Sequence, residues 1–187
     1  MHHSKGITLI ELLITLLILS ILVAIGIPSY RRLFSQQALI QQTEKLYHFL
    51  QLANSEAIKQ NQKMYVHFCK SPSSNQWKMA LTKQTHCSCF TLNSCLLTDI
   101  NDENGREVIE DLADGKQVTL TSSQASQTDD ITFAGDQASY GPMRFSVNAG
   151  SIILTDLNGN QLKVMQSTTR LKICSLGSAK MGYPKCP

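Results

Sequence analysis

Four groups of residues in this chain have types and spacings that point to chemistry. Glu11 is the one ionisable side chain in residues 7–27, an otherwise apolar and small-residue run. A carboxylate held in hydrocarbon costs on the order of 2.5–3.5 kcal/mol, so it requires a compensating charge. Six cysteines, Cys69, Cys87, Cys89, Cys95, Cys174 and Cys186, all follow that run. An even number beyond an apolar anchor favours disulfides and an oxidising compartment. Lys163, Arg170, Lys172, Lys180 and Lys185 lie in a C-terminal region that has no acid after Asp156, a local charge of +5. Grouped cations of this kind suit phosphate contacts. Residues 99–115 hold seven acids and one Arg, a local charge of −6, and read as a solvated acidic loop.

Rival chemistries fit less well. His86, Cys87, Cys89 and Cys95 offer zinc ligands but lack the paired C-x₂-C spacing of structural sites, so disulfides are favoured and no metal is expected. Placing Gly105 at the glycine of a calcium-binding loop puts Ile100 at its first position, and the register fails. His48, His67 and His86 show no nucleophile–base pattern, and no glycine loop cradles phosphate, so neither catalytic residues nor a cofactor is expected. Net charge of +3 and hydrophobic content of 42% predict no partner by themselves.

The elements that must carry these residues follow from periodicity. A helix over the apolar run is roughly 31 Å long, about the hydrocarbon thickness of a bilayer. Pro28 would kink it. Leu39, Thr43, Leu46, Leu50, Ala53 and Ala57 then recur at helical spacing with Gln41, Gln42, Lys45, Gln51 and Asn54 on other faces, so the second half should pack on a globular head. Residues 59–63 form a polar break, and 64–68 read as a strand with His67 on its outer face. Further strands are expected at 77–82, 118–121 and 131–134. Three more are expected in 143–164, separated by turns at 148–150 and 157–160. In 168–174 Arg170 and Lys172 share one strand face, about 6.6 Å apart, and Leu171 and Ile173 the other. A Cys174–Cys186 bond would close a loop of about 13 residues, worth roughly 3 kcal/mol, and hold the lysines near that strand. The other four cysteines could form two bonds in or near the middle of the head.

The N-terminal stretch KGITLIELLITLLILSILVAIGIP resembles the class III signal of type IV pilins and type II secretion pseudopilins. That resemblance implies a leader, 1–6, cut after Gly6 by a prepilin peptidase that methylates the new terminus at Ile7, where the family usually has Phe. Glu11 then occupies the fifth mature position, where the family places its glutamate, and Pro28 matches a common helix proline. The implied partner of Glu11 is the terminal ammonium of a neighbouring subunit, which makes it a filament-assembly residue. The stretch LQLANSEAIKQNQKMYVHF and the later ITF, IILTDLNGNQLKV and TTRLKIC are similar to the GspH/FimT group. The resemblance implies an α+β pilin-like fold: a long N-terminal helix, membrane-spanning in its first half, on a head of two small antiparallel sheets. Its divisions are 7–28 for the transmembrane and assembly helix, 29–61 for its amphipathic continuation and 62–187 for the head. Within the head, 83–129 reads as a variable insertion and 163–187 as a basic tail.

The function implied is that of a non-enzymatic minor pilin, incorporated into or priming a type IV pilus. Its partners would be other pilins or pseudopilins, the peptidase and the inner membrane, with the head in the periplasm and later at the cell surface. FimT-like pilins of DNA uptake carry Gly-Arg-x-Arg where this chain has Thr169-Arg170-Leu171-Lys172. The charge is kept, but the second guanidinium fork is lost. DNA is therefore a further expected partner, through Lys163, Arg170, Lys172, Lys180 and Lys185, with Tyr183 as a stacking ring. The competing readings are a minor pseudopilin of type II secretion and an anchored extracytoplasmic domain that never polymerises. Arg31 and Arg32 against Lys5 run counter to the positive-inside rule, and the cleavage motif and cysteines outweigh that one-charge difference.

Overall fold

The computed structural model describes residues 8–99, 102–120, 131–133, 136–143, 147–177 and 181–187. Helix α1 runs Leu9–Gln60 and is continuous through Pro28. The chain divides within it into two compact units, Met1–Phe34 and Ser35–Pro187. The helix begins with a side-chain cap, since the Glu11 N–H donates to Thr8 Oγ1 at 3.4 Å. It ends in a Schellman motif: Gln62 N–H bonds the Ala57 carbonyl and Asn61 N–H that of Ile58, with Asn61 left-handed at φ 49°. That stop lies within the polar break read from 59–63.

In the larger unit the expected helical stripe is the buried one. Leu39, Thr43, Leu46, Leu50, Ala53 and Ala57 are all essentially inaccessible, joined by Phe49. Thr43 satisfies its buried hydroxyl by donating to the Leu39 carbonyl at 2.7 Å. These residues form one core with side chains from two antiparallel sheets. The first sheet is built from β1 (Met64–Lys70), β2 (Trp77–Thr82), β3 (Leu96–Asp99), β4 (Asp102–Ala113) and β6 (Gln137–Tyr140), in the order β3-β4-β2-β1-β6. The second comprises β5 (Val118–Thr119), β7 (Gly150–Asp156), β8 (Gln161–Gln166) and β9 (Leu171–Ser175), in the order β5-β7-β8-β9. The α+β class, with a helix packed on a head of two small antiparallel sheets, is as expected from the sequence.

Several local expectations change. The acidic stretch is largely strand: β4 lies between β3 and β2, so the described part of 83–129 contributes to the sheet. Glu110 on β4 pairs with Lys45 of the helix at 2.7 Å. In the strand expected at 131–134 Ile131 bridges to Ile152, and in the first strand expected in 143–164 Val147 bridges to Tyr140, while residues 134 and 144–146 lie outside the described residues. His67 is not on an outer face. It is 7% exposed, because β1 has strands on both sides and a loop over its second face, and its Nε2 is 3.0 Å from the Gln84 carbonyl oxygen. Burial lowers its pKa, against the pull of that bond, and the neighbouring His86 lowers it further.

Two polar arrangements hold the sheets in place. Tyr140 on β6 donates its hydroxyl to Gln166 Oε1 on β8, and Gln166 Nε2 donates to the Asn148 carbonyl at 2.9 Å. Asn148 in turn accepts from Ser139 N–H at 2.6 Å and donates to the Gln137 carbonyl at 2.9 Å. This network ties the two sheets together and caps the outer edge of β6, which would otherwise offer unpaired backbone groups. The β7–β8 turn is organised by Asp156, whose carboxylate accepts from the Asn158 and Asn160 N–H groups and from Asn160 Nδ2, each at 2.8 Å. Gly159 takes φ 77° there, a left-handed conformation that favours glycine.

Burial alone would raise the Asp156 pKa, but the bonds from Asn160 and Asn158 outweigh it and hold the carboxyl below its ordinary range. Asp114 is lowered likewise, burial being outweighed by N–H bonds from Val118, Lys116 and Gln117. The folded state therefore binds fewer protons than the unfolded chain as pH approaches about 4. The stability these acids add is complete above that pH and is lost as pH falls through their folded values. Asp156→Ala should cost about 1–3 kcal/mol at neutral pH, and the loss should shrink at pH 3. Urea unfolding at both pH values measures this, and an unchanged difference would remove the assigned role.

Candidate functional site

Two regions carry the residues singled out by the sequence. In the smaller unit, the described side chains from Leu9 to Ala24 are exposed around the helix, Leu9 at 79% and Leu22 at 62%. A helix apolar on every side needs a core or lipid around it. Two of its hydroxyls are satisfied within the helix: Thr15 donates to the Leu12 carbonyl at 2.8 Å and Ser20 to that of Leu17 at 2.7 Å. Glu11 lies in the first turn, where the positive helix end favours an acid. Among the described residues no ion pair involves its carboxylate. Gly6 and Ile7 lie outside the described residues. Among these residues no helix is long and apolar enough to cross a membrane.

The larger unit brings three of the five candidate cations together. Strand register puts Lys163 opposite Cys174 and Met165 opposite Lys172, so Lys163 and Lys172 project from the same face of the second sheet. Arg170 closes the β8–β9 turn: Ser167 N–H bonds the Arg170 carbonyl at 2.9 Å, and Arg170 N–H bonds Ser167 Oγ at 3.1 Å. Lys163, Arg170 and Lys172 line one open groove of about 390 Å³. Arg170 and Lys172 are exposed and Lys163 half-buried. None of them pairs with an acid among the described residues. A carboxylate-free groove with three cations is equipped to hold phosphate oxygens.

Lys180 lies outside the described residues, and Lys185 is elsewhere. Lys185 bridges in parallel to Ser175, at the other end of β9 from Arg170. Ser175 N–H bonds the Pro184 carbonyl at 2.8 Å and its carbonyl accepts from Cys186 N–H at 3.0 Å, so the C-terminal segment covers part of the β9 edge. Cys174 and Cys186, with Cα atoms 5.0 Å apart, are disulfide-bonded across this contact. Tyr183 is not a free stacking ring. It packs against the core and donates its hydroxyl to Glu44 Oε1 at 2.7 Å. Burial first, then the Glu44 bond and charge, push its pKa up to about 12.

Of the remaining cysteines, one pair cross-links the 83–95 region to the first sheet and the other closes that region on itself. Cys69 pairs with Cys89 and Cys87 with Cys95, with Cα separations of 5.9 and 5.1 Å. Cys89 N–H also donates to Cys69 Sγ at 3.2 Å. The sulfur of every cysteine in the chain is therefore committed. The sequence places Gln51 and Asn54 on a polar helix face without a site role, and with Tyr47 they form a row that lines a second groove against the β8–β9 turn. Their i, i+4, i+7 spacing was the available signal.

The family model described as type II transport protein GspH matches residues 42–177, and that of the prokaryotic N-terminal methylation motif matches 1–27. The chain belongs to the GspH family. It is a type IV pilin-like minor pilin or pseudopilin of the GspH/FimT group, whose members assemble with other pilins or pseudopilins. No curated protein and no solved structure matches the chain. The GspH match extends from the buried half of α1 through β9 and thus includes the β3–β4 hairpin, Arg170 and Lys172.

The Cys174–Cys186 link spans 12 positions of sequence and should contribute about 3 kcal/mol by restricting the unfolded chain. Cys174→Ser with Cys186→Ser should lower the unfolding temperature and expose the Lys185 bond to trypsin, while the rest of the head stays resistant. Equal protease resistance of both forms would show that the tail is held by its backbone and Tyr183 contacts alone.

Proposed function

We propose that this GspH-family chain is a minor subunit of a type IV pilus, entering or priming the filament through its N-terminal helix. A prepilin peptidase cuts after Gly6 and methylates Ile7, leaving 7–28 as the membrane and assembly segment and 29–61 as its continuation into the head. The head faces the periplasm and then the cell surface. The observation that carries this reading is Glu11 within the methylation motif. Thr15 and Ser20 spend their hydroxyls inside the helix, whereas the Glu11 carboxylate has no cationic partner among the described residues. Cleavage creates an ammonium on Ile7, about 6 Å along the helix from Glu11. Pairing with the ammonium of an adjoining subunit neutralises a charge that either chain alone leaves in lipid, which makes the pair a device for setting register.

Intact mass of the membrane-extracted protein tests the processing step. The expected species lacks Met1 to Gly6 and carries a methyl group, and Glu11→Ala should abolish incorporation into sheared filaments while the protein still accumulates in the membrane. Retention of the leader, or filaments that accept the variant normally, would overturn the reading. A minor pseudopilin of type II secretion accounts equally for both family matches. Deleting the gene separates the two: loss of twitching and transformation supports the pilus, and loss of exoprotein secretion supports the pseudopilus.

A second role, DNA capture, is favoured by the convergence of Lys163, Arg170 and Lys172 on one groove without an acid. Lys180 and Lys185 would add charge nearby in sequence. Full-length protein in detergent should shift DNA at low salt, with affinity falling steeply as salt rises. Replacing Arg170 and Lys172 by Gln should reduce binding at least about tenfold. Failure of the unaltered protein to bind at low salt would exclude this role.

A further inference from the structure

Beside the cation groove, on the opposite flank of the β8–β9 turn, lies a second groove of about 510 Å³, and Arg170 lines both. One wall is the helical row Tyr47, Gln51 and Asn54, and the other is the turn itself. Leu50 and Tyr140, both almost fully buried, contribute to its apolar floor. The Tyr140 hydroxyl is spent on Gln166, so the floor offers a ring and no hungry polar group. The wall is different. The side chains of Gln51 and Asn54 and the hydroxyl of Tyr47 have no hydrogen-bond partner among the described residues. The groove therefore combines an aromatic ring, two unused amides, an apolar floor and a guanidinium at its rim.

We propose that this groove receives an unpaired base of single-stranded nucleic acid, while the flanking phosphates rest on Arg170, Lys163 and Lys172. The proposal builds on the phosphate-binding reading of the neighbouring groove. The chemistry matches part by part. A base has a flat face for Tyr47, edge donors and acceptors for the amides of Gln51 and Asn54, and a phosphate one backbone step away for Arg170. Base-on-ring stacking tolerates any sequence. A base within a duplex is stacked on both faces and paired at its edge, so it cannot enter without first being unpaired. Single strands are thus the selected form, and Arg170 couples the two grooves.

The test uses the full-length protein in detergent micelles and fluorescence anisotropy at one low salt concentration. Three probes of equal length are compared: an oligothymidine strand, a strand of abasic sites and a duplex. The base groove predicts that oligothymidine binds at least about tenfold tighter than the abasic strand and tighter than the duplex. Tyr47→Ala should erase that advantage and leave abasic binding unchanged, and Tyr47→Phe should keep most of it. Gln51→Ala with Asn54→Ala, both exposed positions, provides a second route that does not depend on the ring. Equal binding of all three probes, insensitive to Tyr47, would overturn the base groove and leave the phosphate reading standing. No binding of any probe would overturn both.

Discussion

The head depends on one buried stripe of helix. Leu39, Thr43, Leu46, Leu50, Ala53 and Ala57 give both sheets a common surface to cover. Leu39, Leu46 and Leu50 supply most of its bulk, with the smaller Thr43, Ala53 and Ala57 between them. Two separate sheets sharing one core must also be fixed relative to each other. That task falls to Tyr140, Gln166 and Asn148, whose hydrogen bonds cross from β6 to β8. The side chains of all three are satisfied, that of Asn148 by the β6 backbone at Ser139 and Gln137. Such a network is worth having only when complete, because a single buried polar group left without a partner costs about 1–3 kcal/mol.

Much of this was legible in the sequence because it is local. The helical stripe, the stop near Asn61 and strands β1, β2, β7, β8 and β9 each announce themselves by period or by turn residues. The alternation of Arg170 and Lys172 with Leu171 and Ile173 also survives in the burial pattern, with the cations exposed and the apolar pair half-buried. What was missed is non-local. In β4 the acids hide the strand, since Asp and Glu are poor strand formers and the segment is held by β2 and β3 on either side. β6, reading Gln-Ala-Ser-Tyr, has one strong strand former and exists through pairing with β1 and capping by Asn148. His67 was misplaced because a rule of alternating faces presumes that one face of the strand meets water. Here the 83–95 region, stitched by Cys69–Cys89 and Cys87–Cys95, occupies the second face.

The C-terminal tail illustrates how one charged segment can serve two ends. A basic edge strand is a common guard against unwanted pairing, and residues 184–186 do cover the β9 edge at Ser175. Among the described residues, the tail's backbone bonds to β9 are made at Ser175. Tyr183 is turned toward Glu44 on the helix, and Lys185 is carried to the end of β9 away from the turn. The tail thus closes one end of the strand, while Arg170 and Lys172 at the other end remain free of acids among the described residues. The covered end and the cationic end are opposite ends of a single strand.

The turn that bears Arg170 joins elements far apart in sequence. It hangs between β8 and β9, and β8 is held to the first sheet through Gln166, which immediately precedes the turn. The opposite wall, Tyr47 to Asn54, is the solvent-side flank of the same helix whose inner face forms the core. The distance between the two walls is consequently set by buried packing, not by the side chains that face the groove. Exposed residues there are free to vary in chemistry while the cleft keeps its width. A guanidinium at that corner has a geometric advantage over an ammonium, since its planar fork can address two oxygens at once. Lys172, a point charge on the adjoining face, adds field without adding direction. Under the proposed phosphate contact, orientation would rest on Arg170 and attraction on the sum of all three cations.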